Sequence, residues 1–193
     1  RLRAPESHSK KKQFRWRERS RKLRLAYLQD LRAWVSQNHS KRIAYLDETG
    51  FDAEGFNPYC YAPRGQVVWG ERSGHRRPRT NLIAARYQGQ IVAPMLIEGS
   101  VNADVFEGWL EQYLLPILEP SSLLILDNAA FHRQGAIRRL AESAGHQVLF
   151  LPPYSPDYNK IEHDFAAIKK LRAFSPASTS LDEVICRYSP CAS

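Results

Sequence analysis

Cysteine is scarce. Only Cys60, Cys186 and Cys191 occur among the 193 residues, and they share no metal-ligand spacing. So sparse and odd a set argues against a disulfide framework and for a reducing compartment. Long apolar runs are missing too. No stretch approaches the ~20 apolar residues of a membrane-spanning helix, and no secretory signal opens the chain; a soluble protein is expected. A serine hydrolase would need a Gly-x-Ser-x-Gly elbow, and none is present. No phosphate-cradling Gly-rich loop precedes a helix, and there is no internal repeat or heptad run. The chain starts on Arg1 and its only methionine is Met95, so a piece of a longer reading frame is expected.

Acids are rare at the front. Residues 1–42 hold 14 Lys and Arg against 3 acids, a balance of +11, whereas residues 43–193 hold 14 against 17, a balance of −3. A basic segment of this kind meets a polyanion, either nucleic acid or anionic lipid, or is simply a solvated tail. Lys10, Lys11 and Lys12 lead into Phe14-Arg15-Trp16-Arg17. That interleaving of aromatics with Arg15 and Arg17, with Trp16 between them, suits stacking on bases along a phosphate backbone. A second basic group, Arg72, Arg76, Arg77 and Arg79, falls in a Gly- and Pro-rich loop. Lys169, on a later helix, joins these candidate DNA contacts.

An apolar content of 43% suits one domain with a real core and an added arm. The expected division is a basic arm with one helix over 1–42, a body over 43–175, and a tail with a short helix over 176–193. Leu23, Tyr27, Leu31, Trp34 and Val35 form one stripe, giving a helix over about 18–37. Ile43–Leu46 reads as a short buried strand ending on Asp47, and Gln66–Trp69 as another within the loop. Residues 81–87 and 90–97 read as a hairpin turning at Gln88-Gly89. Asn102 caps a helix that Pro116 ends or kinks. Strand 123–126, a helix over about 133–144 stopped by Gly145, strand 148–151 and helices over about 160–172 and 181–187 follow. Early strands joined by antiparallel turns and later ones returning through helices predict an α/β fold, a mixed sheet with helices on both faces.

The apolar run Leu123–Leu126 stops on Asp127-Asn128, and 34 residues separate Asp127 from Glu162. In an open α/β sheet the reactive crevice lies beyond the carboxyl ends of parallel strands. An acid at one strand end, Asp47 at another, and Glu162 in the first turn of a later helix aim three carboxylates at one point. Like charges so close need a cation or a proton, and a hard divalent cation with oxygen ligands meets that need. Each acid also has an ordinary explanation. Asp127-Asn128 could start a turn, Glu162 could close a capping box with Asn159, and Asp47 and Glu48 could be surface acids. Because side chains alternate along a strand, only one of Asp47 and Glu48 points at Asp127, and Asp47 is the choice. His132 and His163 stand near the acids in sequence, as contacts to phosphate or as structural residues.

Three segments carry a resemblance. They are Tyr45-Leu46-Asp47-Glu48-Thr49-Gly50-Phe51, then Leu126-Asp127-Asn128-Ala129-Ala130-Phe131-His132, then Leu151 through Glu162, reading Leu-Pro-Pro-Tyr-Ser-Pro-Asp-Tyr-Asn-Lys-Ile-Glu. They resemble the DDE-type transposases of bacterial insertion sequences in the mariner superfamily, over roughly 43–172. The resemblance implies an RNase H-like fold, a mixed five-stranded sheet flanked by helices. It implies that Asp47, Asp127 and Glu162 are catalytic and bind two Mg²⁺ or Mn²⁺ ions; by their position, Glu48, Asn128 and His132 are candidates to support them. It also implies DNA as partner, both element ends and target, a homodimer assembled on DNA, and a bacterial cytoplasmic, nucleoid-associated setting. The family often has Pro where Lys160 stands and Trp where Phe165 stands. Its helix-turn-helix modules have no counterpart before Ile43, so binding through charge with little sequence preference is expected. Two other readings remain. One is another RNase H-like nuclease, and the other is a decayed transposase that only binds DNA.

Overall fold

The computed structural model describes residues 16–52, 62–67, 69, 79–176 and 178–189. Helix α1 spans Arg21–Gln37 and strand β1 Ile43–Asp52. Strands β2 (Arg79–Tyr87) and β3 (Gln90–Glu98) form the expected hairpin. Its two-residue turn, Gln88-Gly89, has positive φ at both positions (51° and 87°), the twist that tight hairpins require. Helix α2 (Ala103–Trp109) starts on Asn102, whose side chain accepts from Val105 N–H at 2.9 Å. It widens into a π turn over Leu110–Leu114 and closes in a 3₁₀ turn over Leu115–Ile117. Pro116 sits in that last turn, where its missing N–H breaks the regular ladder. Strand β4 (Leu123–Leu126), helix α3 (Gln134–Ser143), strand β5 (Gln147–Phe150), helix α4 (Ile161–Phe174) and helix α5 (Leu181–Tyr188) complete the chain. The strand expected at Gln66–Trp69 is not formed: Gln66, Val67 and Trp69 are exposed and outside any strand. The Gln66 N–H turns back to the Pro63 carbonyl at 3.1 Å instead, and β propensity alone does not make a strand.

The sheet order is β3-β2-β1-β4-β5. The β3, β2 and β1 strands are antiparallel neighbours, while β1, β4 and β5 run parallel. This is the mixed sheet that the alternation of turns and helices predicts, with the five strands that the family resemblance implies. β3 has one residue more than β2 between Val92 and Met95, a bulge at Ala93-Pro94. An edge strand tolerates it, and proline is confined to such places. The Ala93 carbonyl, turned out of the ladder, accepts from Trp109 Nε1 at 2.8 Å.

Two apolar layers cover the sheet. On one face Ile43, Tyr45, Leu82, Leu123 and Ile125 pack against Tyr27 and Trp34 of α1, Phe165 and Ile168 of α4, and Val184 and Ile185 of α5. On the other face Ala44, Leu46, Ile83, Leu124 and Leu126 pack against Phe106, Trp109, Leu110 and Leu114 of the α2 segment and Ile137 and Ala141 of α3. At about 1.5–3 kcal/mol for each large apolar side chain fully buried, this double layer makes the central strands rigid. Helix α4 is also pinned by a charge. Buried Asp164 accepts from Arg86 Nη1 on β2 and from the Tyr188 hydroxyl on α5 at 2.7 Å.

Candidate active site

The parallel register sets the first two acids in step. Tyr45 pairs with Ile125, so Asp47 and Asp127 each follow that pair by two residues, and the charge of Asp127 bears on Asp47. β4 stops at Leu126, but β1 continues to Asp52 because β2 still pairs with its other edge. The expectation that Asp47 ends its strand is therefore corrected. Asp47 lies in mid-strand, opposite Ala84, where the parallel neighbour falls away and leaves a gap at the sheet's surface.

Alternation then separates Asp47 from Glu48. Asp47 shares the face of Ile43 and Tyr45, beneath α4. Its Oδ1 accepts from Glu48 N–H at 2.8 Å and its Oδ2 from Asn159 Nδ2 at 3.3 Å. Asn159 is buried just ahead of α4, and the same Nδ2 reaches the Leu46 carbonyl at 3.0 Å. Its Oδ1 has no hydrogen-bond partner among the described residues. Asn159 thus ties the start of α4 to β1 instead of closing a capping box, and Glu162 stands exposed in the first turn of that helix. The sequence reading treated Asn159 only as a cap. Its contacts join residues 112 apart, which no local spacing reveals.

Glu48 points to the opposite face, where its Oε1 lies 3.0 Å from His132 Nε2. The other ring nitrogen of His132, Nδ1, lies 3.3 Å from Asp127 Oδ1. The imidazole is 1% exposed and is walled by Phe106 and Phe131, at 4.4 and 4.3 Å between centroids. It therefore bridges Glu48 and Asp127. Asn128 fixes the loop by donating to the Leu151 carbonyl at 2.7 Å and accepting from Gln134 Nε2 at 2.7 Å. Asp127 Oδ1 also accepts from Ala129 N–H at 3.0 Å.

Protonation follows from these contacts. Burial pushes the Asp47 carboxyl up to about 8; the Glu48 N–H opposes this, and the charges of Glu48, Asp127 and Glu162 add to it. Burial works against a charged His132, but the carboxylates of Asp127 and Glu48 outweigh it and raise the imidazole to about 9. Burial likewise disfavours an ionised Asp127, yet the bonds from His132 and Ala129 hold it below the usual carboxylate range. These contacts favour the ionised form of Asp127, the charged form of His132 and the protonated form of Asp47.

A carboxyl group buried among three others is the situation a divalent cation relieves, and the donors here are all oxygens, as a hard cation requires. Among the described residues no three Asp, Glu, His or Cys side chains converge tightly enough to enclose one ion. Such an open arrangement suits Mg²⁺, which takes one or two carboxylates and completes its shell with substrate phosphates. The residues fit the ion.

Of the candidate DNA contacts, Lys10, Lys11, Lys12, Arg15, Arg72, Arg76 and Arg77 lie outside the described residues. Arg17 and Lys169 are exposed. Trp16 is exposed too, its ring 6.0 Å from that of Tyr154 in the loop ahead of α4. Arg79 opens β2 and lays its guanidinium over Gly50, where a Cβ would collide with it. No described helix is long and apolar enough to cross a membrane.

A family model described as DDE superfamily endonuclease matches residues 42–184. No curated protein is similar enough to match. Among solved structures, the Mos1 strand transfer complex is similar at 21% identity and a TM-score of 0.72, covering 93% of this chain and 56% of that one. The Mos1 mariner paired end complex with Mn is similar at 20% identity and a TM-score of 0.69, covering 95% and 63%. The catalytic domain of Mos1 mariner transposase is similar at 18% identity and a TM-score of 0.56, covering 89% and 88%. The chain thus spans 56% to 63% of the length of the transposase chains in those complexes. What it shares with them is the fold, the RNase H-like mixed sheet with flanking helices.

Proposed function

The chain belongs to the DDE superfamily of endonucleases, and from that premise we propose that it is the catalytic domain of a DNA transposase, from a bacterial insertion sequence of the mariner superfamily. It would nick DNA at the element's ends and join the freed 3′ ends to target DNA. The observation that supports this most is the parallel pairing of Tyr45 with Ile125, each two residues before an acid, Asp47 and Asp127, with Asn159 linking Asp47 to the start of the helix that carries Glu162. Transposon ends and target DNA would be its substrates, and a homodimer on DNA its working form, in the bacterial cytoplasm. Mos1 complexes are known with Mn and with Mg, and the same ions suit the oxygen donors here.

Asp47, Asp127 and Glu162 are the residues that would hold the metal. Bound there, divalent ions would supply Lewis-acid activation of the attacking oxygen and stabilise the leaving one. The chain's own residues do the rest. Asn159 orients Asp47 by donating to Oδ2. His132 holds Asp127 and Glu48 together and keeps Asp127 ionised. A cation held there would require the ionised form of Asp47, so its loading would be coupled to pH.

The test is incubation with supercoiled plasmid and Mn²⁺, with and without chelator. Wild type should nick only with metal. Asp127→Asn and Glu162→Gln should each lose nicking by orders of magnitude, since metal positioning supplies most of this chemistry, while still shifting DNA in a gel. Near-wild-type nicking by either variant refutes the assignment of that residue. Joining of a free 3′ end to target DNA separates a transposase from a plain nuclease.

A further inference from the structure

We propose that a basic cleft beside the site, formed by Lys41, Arg86 and Lys160 over Tyr45, is a seat for a backbone phosphate of the DNA substrate. It rests on the DNA-substrate part of the proposed function, not on catalysis.

The cleft holds about 330 Å³ and lies between the 3₁₀ turn before β1, the β2–β3 hairpin turn and the start of α4. Charge is unevenly settled within it. Arg86 is matched by Asp164, and the adjacent Arg42 by Glu119. Lys41 and Lys160 have no ion-pair partner among the described residues. The cleft therefore carries two uncompensated positive charges. Lys160 is the more telling of the two. It occupies the N-cap position of α4, makes no side-chain capping bond, and stands at the helix end where the macrodipole disfavours a cation. Its ammonium is held 5.4 Å from the Tyr45 ring centroid, so it is directed at the cleft. A lysine kept at an electrostatically adverse position and directed into a polar recess is placed for an anion.

Position names the anion. Tyr45 and Asp47 lie on one face of β1, two residues apart, which is about 6.6 Å along a strand. Duplex DNA rises about 3.4 Å per nucleotide in each strand. A DNA strand with one phosphate at the carboxylates would thus carry another, one or two nucleotides away, to Lys160. An acidic peptide has no such reason to lie across Asp47.

The experiment is fluorescence anisotropy of a labelled DNA duplex with the whole chain, titrated with NaCl in EDTA so that cleavage plays no part. The variants are Lys41→Ala, Lys160→Met, both together, and Arg139→Ala on the opposite face as control. Each cleft variant should weaken binding about five- to tenfold at low salt and flatten the slope of log K against log salt by about 0.9. The double variant should do about twice that in slope, and the control should match wild type. Wild-type affinity and slope in the double variant overturn the proposal, as does polyglutamate competing as well as DNA does. Plasmid nicking is run in parallel. Loss of affinity in variants of a chain that never nicks supports the seat and removes the nuclease reading. Normal binding by the double variant of a chain that nicks removes the seat alone.

Discussion

Asp47→Asn should make the metal-free chain more stable and, at the same time, deaf to metal. In the unfolded chain Asp47 ionises near 3.8, but in the folded chain burial and the neighbouring carboxylates push it up to about 8. Between those values the folded state binds a proton that the unfolded state has released. Stability then falls as pH rises through that window, because its slope follows the protons bound by the unfolded state minus those bound by the native one. At pH 7 the accumulated penalty is on the order of 4 kcal/mol, taking ~1.36 kcal/mol per unit over roughly three units. A neutral amide escapes it. The variant gives back about 1 kcal/mol, because its amide meets the Asn159 amide where Oδ2 accepted a hydrogen bond. The net gain is about 2–3 kcal/mol, or ~5–10 °C for a chain of this size. The assay is thermal melting in EDTA at pH 4, 6 and 8, repeated with Mn²⁺. At pH 4, where the proton penalty is nearly absent, the variant should melt slightly below wild type by the ~1 kcal/mol it gives back, and its gain should be largest at pH 8. Mn²⁺ should raise the wild-type midpoint and leave the variant where it was. A variant that melts below wild type at pH 8 in EDTA, or one that Mn²⁺ still protects, refutes the reasoning.

Other outcomes follow from neighbouring contacts. His132→Asn should remove a stabilisation that wild type has in full below about 6.5 and loses as pH rises through about 9; urea midpoints that differ as much at pH 10 as at pH 6 would contradict this. Asp164→Ala leaves Arg86 and Tyr188 facing a gap where a buried carboxylate stood, and should cost about 3–5 kcal/mol. A loss under 1 kcal/mol in a urea melt would show that this pair does not anchor α4.

The sheet was legible because it depends on near-neighbour pattern. The Gln88-Gly89 turn, the Asn102 cap and the apolar run Leu123–Leu126 are local signals, and these are formed as read. What local reading missed is set by partners far along the chain. β1 outlasts its apolar run because β2 pairs with it as far as Asp52, so Asp47 is not at a strand end. Gln66–Trp69 has strand-like residues, yet Gln66 turns back to the Pro63 carbonyl. Asn159 is the sharpest case, since its spacing from Glu162 suggests a cap while its amide goes to β1. That difference can be measured. Asn159→Ala strips the buried Leu46 carbonyl of its donor, at about 1–3 kcal/mol, but also removes the unpartnered Oδ1 of Asn159, a cost of similar size. Net destabilisation should therefore be small, about 1 kcal/mol. Metal binding should respond more. Asp47 loses the donor that orients its Oδ2, so the Mn²⁺ concentration giving half-maximal thermal protection at pH 7 should rise several-fold. A residue that merely capped α4 would give the stability loss with no change in that midpoint, and this result would return Asn159 to the role its spacing suggests.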